Sequence, residues 1–271
     1  METPHMADAH SPREIARLVE RLGVAKARTD SVTLVLLAVL AGAFISLGAL
    51  FFTVVVTNAS LGFGVTRLLG GLSFCLGLVL VVVAGAELFT GNNLLALAWA
   101  SRLIGTREVM RNWLLAYLGN VIGCLGTVMF VVWADVASLG GGAVADTAIE
   151  IARAKAGLSL GEAFARGVMC NALVCLAVWL AMGGRSVTDK ILAIIFPISA
   201  FVTIGFEHSI ANWFFLPFGV ALDKQGAVSI VGVVWNLVAV SAGNIVGGTL
   251  LVAGVYWVAY LRGERKRESP S

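Results

Sequence analysis

From Ser31 to Thr66 the chain holds no Asp, Glu, Lys, Arg or His, so one membrane-spanning helix fits within 31–57 and a Gly-containing turn follows. A second apolar stretch starts near Leu68 and runs past Glu87 to about Ala100, too long and too rich in glycine for one plain helix. Further apolar stretches cover about 112–134, 164–182, 190–216 and 228–260. A helix of about 20 apolar residues crosses about 30 Å of hydrocarbon, so the pattern predicts six spans. Ahead of them, Ser11, Pro12 and Glu14 occupy N-cap, first-turn and capping-box positions, and Ile15, Leu18, Val19 and Leu22 recur at helical spacing up to Gly23. That segment, within a cytoplasmic stretch 1–29, reads as an amphipathic helix anchored on the membrane surface rather than a gating plug. A pore domain over 30–262 and a cytoplasmic tail over 263–271 complete the organisation.

Two of the spans carry the same polar interruption. Gly85, Glu87 and Asn92 form Gly-x-Glu-x-x-x-x-Asn, and Gly205, Glu207 and Asn212 repeat it 120 positions later. Gly119-Asn120-x-x-Gly123 follows the first copy, and Gly243-Asn244-x-x-Gly247 follows the second. Matching polar breaks in two halves, about 30–135 and 160–262, point to a substrate path built by internal duplication. With three spans per half, the halves must insert with opposite orientations. Non-helical backbone at membrane depth is tolerated only where protein or a watery cavity satisfies it, so spans two and five are expected to be broken and to line one passage. Half-helices meet in this manner in aquaporin-like architectures.

Composition agrees with this class. The 271 residues are 59% hydrophobic and 13% charged, against about 25% charged in a soluble domain. Fourteen of the nineteen Lys and Arg residues fall on the side that carries the N-terminus, which predicts both termini in the cytoplasm. The remaining five are Arg67, Arg153, Lys155, Arg166 and Lys224. A net charge of +3 spread over loops and tails gives no reason to expect a nucleic-acid partner. Cys75, Cys124, Cys170 and Cys175 all lie in apolar runs without metal-ligand spacing, so they read as small hydrophobes. No metal or other cofactor is expected, and no cleavable signal peptide is evident.

The segments GAELFTGN (85–92), CNALVCLAVWLA (170–181), DKILAIIFPISAFVTIGFEHSIAN (189–212), GNIVGG (243–248) and YWVAYLR (256–262) together resemble the formate/nitrite transporter family. The resemblance runs from about Pro12 to Arg262. It implies an aquaporin-like all-α fold with six transmembrane helices in an inverted 3+3 repeat, a homopentamer in the lipid bilayer, and an anion pore in each protomer. A bacterial inner-membrane location follows from the same resemblance. GGRS…DK (183–190) and GFEHSIAN-x-FFLPFG (205–219) resemble the formate-channel branch, whereas GAELFTGNN resembles nitrite-type members. Formate is therefore the first expected substrate, nitrite the second, and hydrosulfide or another short weak acid the third.

His208 is the one histidine inside the apolar core; His5 and His10 lie in the N-terminal tail. An ionisable group at membrane depth is a functional candidate, because it is costly there unless paired or hydrated. By resemblance, His208 is the pore histidine and Thr90 faces it from the other broken span. Resemblance also places Lys155 in the extracellular vestibule, with Asn171, Glu87, Asn92, Glu207 and Asn212 bracing the site. Both glutamates are expected to cap the resumed half-helices or to meet backbone donors. Phe74, Leu78, Val174 and Phe201 are implied as apolar constrictions. A dry slit disfavours an isolated ion by several kcal/mol or more, so a weak acid would cross more easily after accepting a proton. Imidazole suits such a relay because it titrates near neutral pH. A membrane enzyme would need a nucleophile paired with His208 or two axial histidines, and the sequence offers neither. A structural scaffold leaves the duplicated breaks unexplained.

Overall fold

The structure is a computed structural model that describes residues 9–263. Residues 1–8 and 264–271, which include His5 and nearly all of the predicted tail, lie outside the described residues. The described chain is helical: α1 (Pro12–Arg28), α2 (Ser31–Val56), α3 (Phe63–Ala84), α4 (Phe89–Asn92), α5 (Leu95–Ala100), α6 (Thr106–Trp133), α7 (Ala143–Ala156), α8 (Leu160–Gly183), α9 (Val187–Ile204), α10 (Ser209–Leu222) and α11 (Ile230–Val246). α11 continues through wider turns, so the helical rod extends from Ile230 to Leu261. Six of these helices are long and apolar enough to cross a membrane. Their outward faces display Leu36, Phe51, Met129, Trp133, Phe196 and Leu250, as lipid or subunit contacts require.

The second and fifth apolar stretches are both interrupted at the repeated motif. α3 ends on Gly85 at φ 83°, and α9 ends on Gly205 at φ 87°, a backbone region that favours glycine. The closing bonds also match: Ala86 N–H reaches back to Val81 O, and Phe206 N–H to Phe201 O, each at 2.9 Å. Helix resumes after three further residues, at Phe89 and at Ser209.

Pairs of glycines bring the flanking helices together. A Cβ on Gly119 would meet that of Ala38, and one on Gly123 would strike the carbonyl oxygen of Val39, so α6 lies directly against α2. In the second half, Cβ atoms on Gly243 and Gly247 would strike the carbonyls of Phe164 and Val168 on α8. Small residues let membrane helices approach at backbone distance. Gly123→Ala is therefore expected to reduce the yield of folded assembly sharply, since overpacking costs about 1–3 kcal/mol or more. Gly126→Ala, where a Cβ meets nothing within 4 Å, is the control. Equal yields by size-exclusion chromatography would show that α6 can move off α2 without penalty.

Two elements depart from the sequence expectations. No element was predicted over 136–159, yet α7 forms there, and its last turn carries Lys155. The capping box at Ser11 and Glu14 forms as read, but α1 is not a lipid-facing anchor. Its buried Ile15, Ala16 and Val19 pack among Leu94, Leu97, Trp179 and Val252, and His10 N–H donates to Gly183 O at 3.0 Å. The apolar stripe of α1 is covered by protein.

Candidate functional site

The two breaks meet through their side chains. His208 caps α10, its Nδ1 accepting the Ala211 N–H at 3.1 Å. Its Nε2 lies 3.0 Å from Thr90 Oγ1, a contact between positions 118 apart in the chain. With Nδ1 occupied as an acceptor, the proton of the neutral ring sits on Nε2 and points at Thr90. The Thr90 hydroxyl then keeps its own proton to donate elsewhere. Adding a proton at Nδ1 would set two N–H groups face to face, so a doubly protonated ring requires the α10 cap to open. Both side chains are buried, Thr90 at 0% exposure and His208 at 3%.

Asparagines hold the breaks in place. Asn120 Oδ1 accepts Phe89 N–H at the start of α4, while Asn244 Oδ1 accepts Ser209 N–H at the start of α10, both at 2.9 Å. Asn120 Nδ2 donates to the carbonyls of Ala38 and Glu87; Asn244 Nδ2 donates to those of Gly167 and Glu207. Asn171 Nδ2 approaches Thr90 O, Asn93 Oδ1 and Asn244 O, tying the two halves at the centre. The bonds to Phe89 N–H, Ser209 N–H and the carbonyls of Glu87 and Glu207 satisfy backbone groups that the breaks would otherwise leave unpaired in an apolar interior.

The glutamates do not cap the resumed helices, as the sequence had led us to expect; each meets a lysine and an asparagine instead. Glu87 Oε1 pairs with Lys26 Nζ, and Glu207 Oε1 with Lys155 Nζ, both at 2.9 Å. The other oxygen of each accepts an amide N–H at 2.7 Å, from Asn92 in one half and Asn212 in the other. Those amides also donate to Asn112 and Asn236, whose own amides bond the carbonyls of Lys26 and Lys155. The duplication thus reaches back to include α1 and α7. Lys155 is not a solvated loop cation: its side chain is 16% exposed, and Nζ also lies 5.2 Å from the Phe215 ring centroid.

Lys26, Asn112 and Asn236 were not singled out from the sequence, although signals for them exist. Lys26 is a lone cation on the apolar stripe of α1, in register with Ile15, Val19 and Leu22. Asn112 and Asn236 each stand eight residues before Asn120 and Asn244, a further match between the halves.

Two cavities approach the His208–Thr90 pair. One, of about 190 Å³, is lined by Lys155, Glu207, Asn212 and His208, with Phe74 and Phe201 among its apolar residues. The other, of about 260 Å³, is lined by Lys26, Glu87, Asn92, Leu78 and residues of α1. Phe74 and Leu78 stand one turn apart on α3, so about 6 Å of helix separates the two. Phe74 and Phe201 meet edge to face with centroids 5.6 Å apart, and the Phe201 ring stacks on His208 at 6.0 Å. Thr90, Asn171 and Val174 are buried and line neither cavity. No group of three or more His, Cys, Asp or Glu side chains able to hold a metal occurs among the described residues.

Six membrane-length helices, a break in each half, and two cavities that each hold a Lys–Glu–Asn group define a multi-pass membrane channel. The profile of the formate/nitrite transporter family matches residues 13–258, and the chain belongs to that family. It is 35% identical to the formate channel FocA of Escherichia coli K12, over 97% of this chain and 98% of the relative. It is 38% identical to a probable formate transporter of Methanothermobacter thermautotrophicus, over 93% and 97% of the two chains. Among solved structures, a pentameric formate channel with formate bound aligns with a TM-score of 0.80 at 39% identity, covering 86% of this chain and 98% of the other. An ion channel of the same family aligns with a TM-score of 0.84 at 27% identity, covering 91% and 98%.

Proposed function

We propose that the chain is a pore for small monovalent anions, formate first, assembled as a homopentamer in a bacterial inner membrane with both termini in the cytoplasm. The observation that carries this reading is the buried Thr90–His208 pair, with His208 lining one cavity and one hydroxyl proton left to donate. A carboxylate reaching this point can accept the proton of Thr90 Oγ1, while His208 Nε2–H holds that hydroxyl oriented. Phe74, Phe201, Leu78 and Val174 keep the approach dry, and a bare ion there is penalised by several kcal/mol or more. An anion that gains a proton escapes that penalty. The matched Asn, Glu and Lys contacts of the two halves support an inverted repeat whose broken spans face each other across the centre. The function is passage, with no chemical conversion of the anion.

Proteoliposome uptake with formate, nitrite, hydrosulfide, acetate and lactate in competition tests the reading. Formate is expected to enter, with nitrite and hydrosulfide competing and lactate weakest. Nitrite is retained as the second substrate because GAELFTGNN resembles nitrite-type members. A folded pentamer that carries none of the five would sink the proposal.

A further inference from the structure

The two cavities share a Lys–Glu–Asn arrangement but not a charge. The cavity at α1 is lined by one cation, Lys26, and one carboxylate, Glu87, which pair and cancel. The cavity at α7 contains the equivalent pair, Lys155 and Glu207, and adds Arg67 and Arg166 without a second carboxylate in its lining. Three cations there face one carboxylate, a net of two positive charges with His208 neutral. The duplication supplies no counterparts. The carbonyl of Arg166 accepts Glu207 N–H, while in the first half Leu37 does so for Glu87. The 120-residue offset that relates Gly85 to Gly205 brings Arg67 to Val187.

Arg67 is held in a defined pose. Its Nε donates to Thr203 O at 3.1 Å and Nη2 to Val202 O at 2.6 Å, in the last turn of α9, where Val202 O also accepts the Gly205 N–H. Its guanidinium carbon lies 5.9 Å from the Phe52 ring centroid, and Thr203 Oγ1 donates to the Arg67 carbonyl. Two of the five guanidinium N–H groups are spent on α9, and the Nη1–Nη2 edge keeps donors for a bidentate acceptor. Arg166 lies one turn after Glu162, an exposed carboxylate that is itself bonded to Ser159.

We propose that Arg67 and Arg166, rather than the neutralised Lys155, make the α7-side cavity the anion-collecting mouth, with Arg67 the fork that favours planar anions bearing two oxygens. This rests on the anion-pore reading above. The mouth at α1 lacks the device, so entry is electrostatically one-sided. Fixed charge lining a low-dielectric cleft raises anion entry by about tenfold or more at low salt, and a Debye length of about 8 Å at physiological salt weakens the effect.

The test uses initial formate influx from the α7 side, well below saturation, in vesicles sorted for one orientation of the pentamer. Wild-type influx is expected to fall several-fold between low and high ionic strength. Arg166→Gln is expected to lower only the low-salt rate, by about threefold or more, and to match wild type at high salt. Arg67→Lys keeps a cation on the α9 carbonyls, so salt dependence should persist while the preference for formate over the single-atom nucleophile hydrosulfide drops several-fold. Intact pentamers of both variants with wild-type salt dependence and wild-type selectivity would overturn this inference alone. A wild type that carries no anion overturns the pore reading and this inference with it.

Discussion

Replacing His208 is expected to separate proton-linked passage from passage of the charged anion. His208→Phe removes both the Nε2 donor to Thr90 and the Nδ1 acceptor for Ala211 N–H. Loss of a helix cap costs about 1 kcal/mol, which the packed core around Phe201 and Phe214 can absorb, so the pentamer should persist. Formate uptake at acidic pH should fall about a hundredfold, within the range that a positioned proton-transfer group contributes. His208→Asn behaves differently. Asparagine is a favoured N-cap and its amide can still reach Thr90, but it does not titrate. Uptake by this variant should lose its pH dependence and gain sensitivity to voltage, because a moving charge feels about 2.3 kcal/mol per 100 mV and a neutral acid feels none. Uptake measured from acidic to alkaline pH, with and without an imposed potential, reads both effects. Wild-type pH dependence in both variants would leave His208 as the structural cap of α10 and nothing more.

The second large effect is expected at Lys155, and it is on stability. The family resemblance places Lys155 in the extracellular vestibule. The structure buries it against Glu207, whose side chain is 5% exposed. Removing one partner of a buried ion pair leaves the other charge uncompensated and costs about 3–5 kcal/mol. Lys155→Ala should therefore lower the thermal midpoint of the pentamer by many degrees. Glu207→Gln added to it should recover much of the loss, since an amide can still meet Asn212. A Lys155→Ala protein as stable as wild type would mean that water replaces the ammonium at no cost. Lys26→Ala is the matching experiment in the other half, with a smaller effect expected because Lys26 is 22% exposed.

Much of the architecture was legible because it depends on local chemistry. Runs without charge mark helices that can cross a membrane, and Gly85 and Gly205 mark breaks because glycine adopts positive φ without a Cβ clash. Glu87 with Asn92, and Glu207 with Asn212, are five residues apart in the chain and bond each other directly, so spacing alone put them together. The Gly-Asn-x-x-Gly repeats were visible as well, but their use was not. Only packed helices show that the glycines admit α2 and α8, and that the asparagine between them serves the N–H groups of Phe89 and Ser209.

The sequence by itself determined six spans, two matched interruptions, a polar pair at each, and a lone membrane histidine, because hydropathy and backbone freedom are properties of short segments. The tertiary structure alone decided which distant groups neutralise one another. Lys26 reaches Glu87 across 61 positions and Lys155 reaches Glu207 across 52, so the apparent vestibule cation is half of a neutral pair. Thr90 and His208 meet only when the halves pack, and the Ala211 N–H then selects the tautomer. α7 was missed because 14 residues mixing alanine with both signs of charge lack membrane length, and its burial against α10 and α11 comes from the finished bundle. An ion pair in an apolar interior is chosen by whichever opposite charge the fold brings within about 3 Å, since an unpaired charge there is too costly to keep; proximity in sequence carries no such information.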